Sequence, residues 1–124
     1  MLLTFDFSSD TPLYIQLRNQ IIIGIADGRL ISGEKLPTVR ALAEESGINT
    51  MTVSKAYQLL KAEGYLVTDR RAGAVVRAPR GKEAGLSADQ TARLKLLAGE
   101  ARLAGLTLED FLAACKAAFG ETED

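Results

Sequence analysis

The sequence predicts a mainly α (α+β) fold, with a winged helix-turn-helix domain followed by a short two-helix tail. Two amphipathic segments flank a tight polar turn at residues 45–49, which is the pattern of a helix-turn-helix motif. Two β-rich runs around an arginine-containing turn then predict a hairpin, the wing, and two further helical patterns follow. We expect the winged domain over residues 1–78, a linker over 79–86 and a dimerisation tail over 87–120.

The first elements are a short edge strand and a long helix. Residues 2–7 alternate enough to predict the strand. Residues 10–12 (Asp-Thr-Pro) then predict a helix start, with a polar cap and proline in the first turn. The buried stripe of this helix recurs every four residues, at Leu13, Leu17, Ile21 and Ile25.

The second and third helices form the predicted helix-turn-helix. Thr38 is the expected N-cap of the second helix, and Gly47 stands where a left-handed C-terminal cap is needed. Asn49 or Thr50 caps the third helix. Its buried face has the spacing i, i+3, i+4, i+7, at Val53, Ala56, Tyr57 and Leu60, and its opposite face carries Met51, Ser54, Lys55 and Gln58.

The wing and the tail complete the chain. The runs 65–68 and 74–77 predict two strands around a tip that contains Arg70 and Arg71. Ser87 with Gln90 forms a capping box that starts a fourth helix, and Thr107 starts a fifth. Two such helices cannot bury both apolar faces alone, so they need either the winged domain or a second chain to cover them. For a second chain, the residues expected to hold the homodimer are Leu94, Leu97, Ala101, Leu108, Phe111, Leu112, Cys115 and Phe119.

Composition argues against catalysis. Of 124 residues, 47% are hydrophobic and 25% charged, as in ordinary globular proteins. One cysteine excludes an internal disulfide and a cysteine metal cluster. The sequence has no histidine, so the commonest general base and metal ligand is absent. With no nucleophile motif or paired carboxylates, we expect no enzyme activity, no cofactor and no metal.

The N-terminal sequence indicates where the protein is located, and the charge distribution indicates its partner. There is no basic n-region and no uncharged run of membrane-spanning length, so we expect a cytoplasmic protein with no membrane partner. The net charge is −1, yet residues 50–80 hold six Lys or Arg and two Asp or Glu, a local charge of +4. Local fields of this kind attract a polyanion, so double-stranded DNA is the expected partner.

The winged domain resembles the GntR family of bacterial transcription regulators over residues 12–76. The short tail is similar to the YtrA-like subfamily, whose members dimerise through two helices. The resemblance implies a homodimeric repressor on a near-palindromic operator. It rests on PLYIQ at 12–16, GRL at 28–30, GEKLPTVR at 33–40, LA at 42–43, GIN at 47–49, TV at 52–53, AY at 56–57 and EGYL at 63–66.

The resemblance also implies which positions contact DNA: the arginine after the Leu-Pro motif, the start of the third helix, and the wing tip. The positions are Arg40, Asn49, Thr50, Met51, Thr52, Ser54, Arg70 and Arg71. Lys55 lies on the same outer face of the third helix, and we expect it to contact a phosphate.

Several of these positions have a plainer interpretation. Arg40 could be a solvated surface residue, and Met51 could contact a thymine methyl or pack against a neighbouring helix. One of the two wing arginines could instead serve to keep a strand edge soluble.

Two other functions stay open from the sequence. The winged domain could bind proteins instead of DNA, although the basic bias of residues 50–80 argues against this. The chain could also sense a small molecule, unidentified by the sequence, in a pocket at the dimer interface lined by Leu97, Phe111 or Leu112.

Overall fold

The computed structural model describes residues 3–71, 73–77 and 85–120. The chain divides into two compact units, Met1–Arg80 and Gly81–Asp124. The first contains helices α1 (Leu13–Ala26), α2 (Val39–Ser46) and α3 (Thr50–Ala62), then strands β1 (Leu66–Asp69) and β2 (Gly73–Val76). The second contains helices α4 (Ala88–Leu103) and α5 (Leu108–Phe119). This order confirms the predicted mainly α fold with a wing.

The prediction of an N-terminal strand is wrong for the residues described. Residues 3–6 have no partner strand, and Leu2 lies outside the described residues. The Gln20 side chain of α1 replaces a partner strand: it accepts from the Thr4 N–H at 2.9 Å and donates to the Thr4 carbonyl at 2.7 Å. The predicted polar cap of α1 is also wrong, because Pro12 is the N-cap and gives no side-chain hydrogen bond.

Local side-chain chemistry determines the helix-turn-helix. The Thr38 hydroxyl accepts from the Ala41 N–H at 3.1 Å, and the Asn49 side chain accepts from the Met51 N–H at 2.7 Å. Both satisfy backbone donors that have no partner within the helix. Gly47 ends α2 at φ 70°, a left-handed conformation that glycine adopts without steric cost. These caps confirm the predicted helix boundaries.

The core of the first unit lies between α1, α2, α3 and the wing. The four predicted inner-face residues of α3 are buried, and α1 contributes Leu17 and Ile21. Burial of each large aliphatic side chain contributes about 1.5–3 kcal/mol, so this cluster anchors α3 and leaves its other side exposed. The buried set is Leu17, Ile21, Leu36, Leu42, Ala43, Ile48, Val53, Ala56, Tyr57, Leu60, Leu66 and Val76.

The wing is joined to the chain segment that precedes α2. Strands β1 and β2 pair antiparallel, with Leu66 opposite Val76 and Asp69 opposite Gly73. Residues 33–36 then pair with the other edge of β2: the Val76 N–H donates to the Glu34 carbonyl at 2.8 Å, and the Leu36 N–H to the Ala74 carbonyl at 2.9 Å. This pairing, which no sequence pattern predicted, joins the wing to the segment before α2.

The second unit consists of two capped helices with large exposed apolar side chains. Capping boxes begin α4 at Ser87 and α5 at Thr107, as predicted for α4. Half-buried residues of this unit are Ala98, Ala101, Phe111 and Cys115. The larger predicted dimer contacts are exposed, namely Leu94, Leu97, Leu108, Leu112 and Phe119. No helix in the described part of the chain has the length and apolar character needed to cross a membrane.

Candidate nucleic-acid interface

The outer face of α3 begins with uncharged side chains. Thr50 is exposed and Met51 is 77% exposed, because the core holds the opposite side of the helix. Thr52 and Ser54 are half-buried on the flanks of this face. Hydroxyls can bond base edges or phosphates, and a methionine can contact a thymine methyl. These side chains carry no charge that phosphates could repel, so the face can contact base edges.

Asn49 has two functions available at the start of α3. Its side-chain oxygen Oδ1 accepts the capping hydrogen bond. The side chain is exposed, and its NH2 group can still donate hydrogen bonds. The positive end of the helix dipole lies at the same place and favours an anion. Asn49 can therefore cap the helix and donate to a phosphate together.

Lys55 lies one turn further along α3, and its ammonium is above the ring of Tyr14 in α1. Nζ is 4.2 Å from the ring centroid, within the range of a cation–π interaction. Tyr14 is half-buried and packs against the core. The sequence gives no sign of this contact with Lys55, because the two helices are far apart along the chain.

Gln58 is exposed, and its amide donates a long hydrogen bond of 3.4 Å to the Ser54 hydroxyl. Such a long bond is weak, so it leaves both side chains able to change partners. The two residues extend the polar face of α3 by one turn.

Arg40 projects from the first turn of α2. Its side chain is 87% exposed, and its Nε is 3.6 Å from Glu44 Oε1, one turn along the same helix. An exposed pair of this kind contributes little to stability. The guanidinium can therefore leave Glu44 for a phosphate or a guanine, which it can bind in a two-point manner.

The wing tip presents two exposed arginines, Arg70 and Arg71. The Arg71 N–H donates to the Asp69 carboxylate at 2.8 Å, which stabilises the turn that carries both side chains. Ala72, the next residue, lies outside the described residues. Guanidinium groups at such a tip can enter a narrow minor groove, where the negative potential is strongest.

Tyr57 and Pro37 connect α3 to the start of α2. The buried Tyr57 hydroxyl donates to the Pro37 carbonyl at 2.8 Å, one residue before the Thr38 cap. Burial raises the pKa of Tyr57 well above its ordinary value, so the hydroxyl stays protonated as a donor. The sequence predicted Tyr57 in the core but gave no sign of this bond. The bond joins α3 to the segment that leads into α2, where Arg40 lies.

A second long-range contact connects α1 to the end of α3. Arg18 Nε and Nη2 donate to the two carboxylate oxygens of Glu63 at 2.9 and 2.7 Å. The hydrogen bonds that Arg18 donates to Glu63 raise the pKa of Arg18, and two-point geometry makes such pairs specific. No sequence pattern predicted this pair, since it depends on how α1 packs on α3.

All nine predicted DNA-contact residues lie in the first unit and are exposed or half-buried. Residues 49–55 hold six of them on one turn and helix start, while Arg40 and the wing arginines lie on the elements before and after. Within the second unit, a depression of about 360 Å³ is lined by Ala98, Ala101 and Phe111 among others. Leu97 and Leu112 do not line this depression; a pocket at a dimer interface would involve a second chain and stays a prediction.

Comparison with known sequences connects this domain to one family. The family described as "Bacterial regulatory proteins, gntR family" matches residues 13–76. The HTH-type transcriptional regulator Rv1152 of Mycobacterium tuberculosis is 36% identical over 108 residues, 87% of this chain and 86% of that protein. YdeL of Bacillus subtilis is 44% identical over 64 residues, but the match covers only 14% of its length.

Solved structures show the same architecture. YtrA from Sulfolobus acidocaldarius, a GntR-family transcription factor, is 35% identical with a TM-score of 0.64, over 82% of this chain and 99% of that one. A GntR-family regulator from Listeria monocytogenes is 28% identical with a TM-score of 0.68, over 91% and 98%. The DNA-binding domain of AraR in complex with operator ORX1 is 25% identical with a TM-score of 0.54, over 62% and 96%.

Proposed function

Because the chain belongs to the gntR family of bacterial regulatory proteins and carries the DNA-binding domain of that family, we propose that it is a homodimeric repressor. It binds a near-palindromic operator in the cytoplasm. The observation that carries the proposal is the outer face of α3, which is exposed and, apart from Met51, polar, while its inner face is buried. A related domain, that of AraR, is described in complex with operator DNA.

The proposed contacts divide into base reading and backbone binding. Thr50, Met51 and Thr52 lie in the major groove, where hydroxyl and methyl contacts distinguish base pairs. Asn49 and Ser54 donate to phosphates beside that groove. Arg40, Lys55, Arg70 and Arg71 supply the cationic contacts that give affinity and make it depend on salt.

The proposed dimer forms through α4 and α5. Phe119 is 86% exposed and Leu108 is 74% exposed, and exposed apolar side chains of this size are typical of an interface. Two copies with two-fold symmetry bind two half-sites that are one helical turn, about 34 Å, or a multiple of it apart. This symmetry is the reason for a near-palindromic operator.

Selection of bound sequences from a pool of random duplexes tests binding, palindromy and spacing together. We expect enriched sequences with two inverted half-sites whose centres are separated by a whole number of turns. If no sequence is enriched and the chain does not bind random duplex at low salt, the proposed function is overturned and the protein-binding alternative is the one to test next.

Repression is tested separately with the selected operator. A reporter whose promoter overlaps this operator should lose expression when the chain is produced and keep it when the half-sites are scrambled. Increased expression from the intact operator would identify an activator.

A further inference from the structure

We propose that Tyr14 is a positioning residue for DNA binding: its ring holds the Lys55 ammonium where Lys55 contacts the phosphate backbone beside α3. The inference rests on the proposed function. It adds α1 to the interface, although no Tyr14 atom needs to touch DNA.

The geometry isolates this pair from competing partners. Lys55 is exposed, and its Nζ is 4.2 Å from the centroid of the Tyr14 ring. Throughout the described ranges of the chain, no carboxylate lies within ion-pair distance of Lys55. The aromatic ring is therefore the partner that determines the position of this ammonium group.

An aromatic partner has a different consequence from a carboxylate. A carboxylate would neutralise the lysine and compete with phosphate, whereas a ring attracts the cation through its quadrupole and leaves the charge intact. An ammonium group has three N–H donors. Those that point away from the ring stay available for phosphate oxygens.

The ring itself is held firmly. Tyr14 is the second residue of α1, and it packs against the core of the first unit. Gln16 fixes the chain around it, because its amide donates to the Thr11 carbonyl at 2.8 Å and to the Asp6 carbonyl at 2.9 Å. A flexible lysine held by a fixed ring loses less freedom when it binds DNA.

A double-mutant cycle with random-sequence duplexes at low salt tests the proposal by fluorescence anisotropy. Tyr14→Leu should weaken binding about two- to five-fold, the value of an exposed cation–π contact. Lys55→Met should lower the slope of log K against log salt concentration by about one. Tyr14→Leu added to Lys55→Met should cost nothing more, and Tyr14→Phe, which keeps the ring, should bind like the wild type.

Equal losses from Tyr14→Leu with and without Lys55 would overturn the proposal, as would a Tyr14→Phe variant that binds as weakly as Tyr14→Leu. The contact is also measurable without a variant, because the ring current should shift the Lys55 ε-methylene NMR signals upfield in the wild type. Unshifted signals overturn the proposal even if Tyr14→Leu fails to fold. A wild-type chain that binds no duplex overturns the proposed function, while the NMR signals still report on the contact.

Discussion

Two exposed cations of the candidate interface each lie beside a weak partner. Arg40 is near Glu44, and Lys55 is over the Tyr14 ring. Weak partners matter because a strong buried pair would resist transfer to phosphate. The bonds that fix the scaffold are buried or two-point instead, such as the bond from Tyr57 to Pro37.

Replacing Arg40 should weaken DNA binding without regard to sequence. We expect Arg40→Ala to lower affinity for the selected operator and for random duplex alike, and to lower the salt slope by about one. Arg93→Ala is the matched control, since Arg93 is an exposed arginine paired one turn away with Asp89 in the tail. Titration by gel shift measures both. Unchanged affinity of Arg40→Ala would remove Arg40 from the interface.

The Tyr57 hydroxyl should contribute to folding stability. Tyr57→Phe removes the donor and leaves the Pro37 carbonyl without it, so the free energy of unfolding should fall by about 1 kcal/mol. Urea denaturation measures this as a lower midpoint with an unchanged m-value. Tyr14→Phe is the control and should lie within about 0.5 kcal/mol of the wild type. Equal stabilities of the two variants would contradict the assigned role of the Tyr57 bond.

At the scale of secondary-structure elements, helix caps and hydrogen bonds at a strand edge connect α2, α3 and the wing. Asn49 begins α3, and residues 33–36 pair with β2 just before α2. The wing is therefore held by backbone hydrogen bonds to the segment that leads into Arg40. A substitution at one of these junctions should lower stability if it removes a cap, and should lower DNA affinity if it disturbs a phosphate contact.

Two substitutions at Asn49 separate capping from DNA binding. Asn49→Ala removes the cap and should lower the free energy of unfolding by about 1 kcal/mol. Asn49→Asp keeps a good cap and should preserve stability, but its negative charge should repel phosphates and weaken DNA binding. Thermal melts and anisotropy titrations measure the two effects. An Asn49→Asp variant with wild-type affinity would place Asn49 away from the phosphates.

For the whole molecule, the two units have different ways of burying apolar surface. The first unit encloses its own core, whereas no residue in the described helices of the second unit is fully buried. A pair of short helices cannot shield its leucines and phenylalanines from water alone. In the proposed symmetric dimer, a second copy of the tail supplies this cover.

A charge placed on the predicted dimer face should separate the copies. Leu112→Glu should produce monomers in sedimentation experiments, because an unpaired carboxylate is costly to bury in an apolar interface. It should also reduce operator affinity, since the two half-sites then bind independently. Ala117→Glu is the matched control, because Ala117 lies on the opposite face of α5 and is exposed. Dimers of Leu112→Glu, or monomers of Ala117→Glu, would contradict the predicted face.

The amino-acid sequence by itself determined the five helices, the wing, the capping residue Thr38 and the family, and it limited the cap of α3 to Asn49 or Thr50. These features follow from local periodicity, cap chemistry and motif spacing, which act over a few residues. It failed at residues 3–6, since an alternating pattern predicts a strand only where a partner strand is available. There Gln20 supplied the hydrogen bonds instead.

Only the tertiary structure decided which side chains meet across the core. The Tyr14–Lys55 contact, the Arg18–Glu63 pair and the Tyr57–Pro37 bond each join segments that are far apart in sequence. Their partners depend on the angle and register at which helices pack, which is set by the summed burial of many apolar groups. No short pattern encodes that sum, so the sequence indicated the proposed DNA-binding surface but not the contacts that hold it in place.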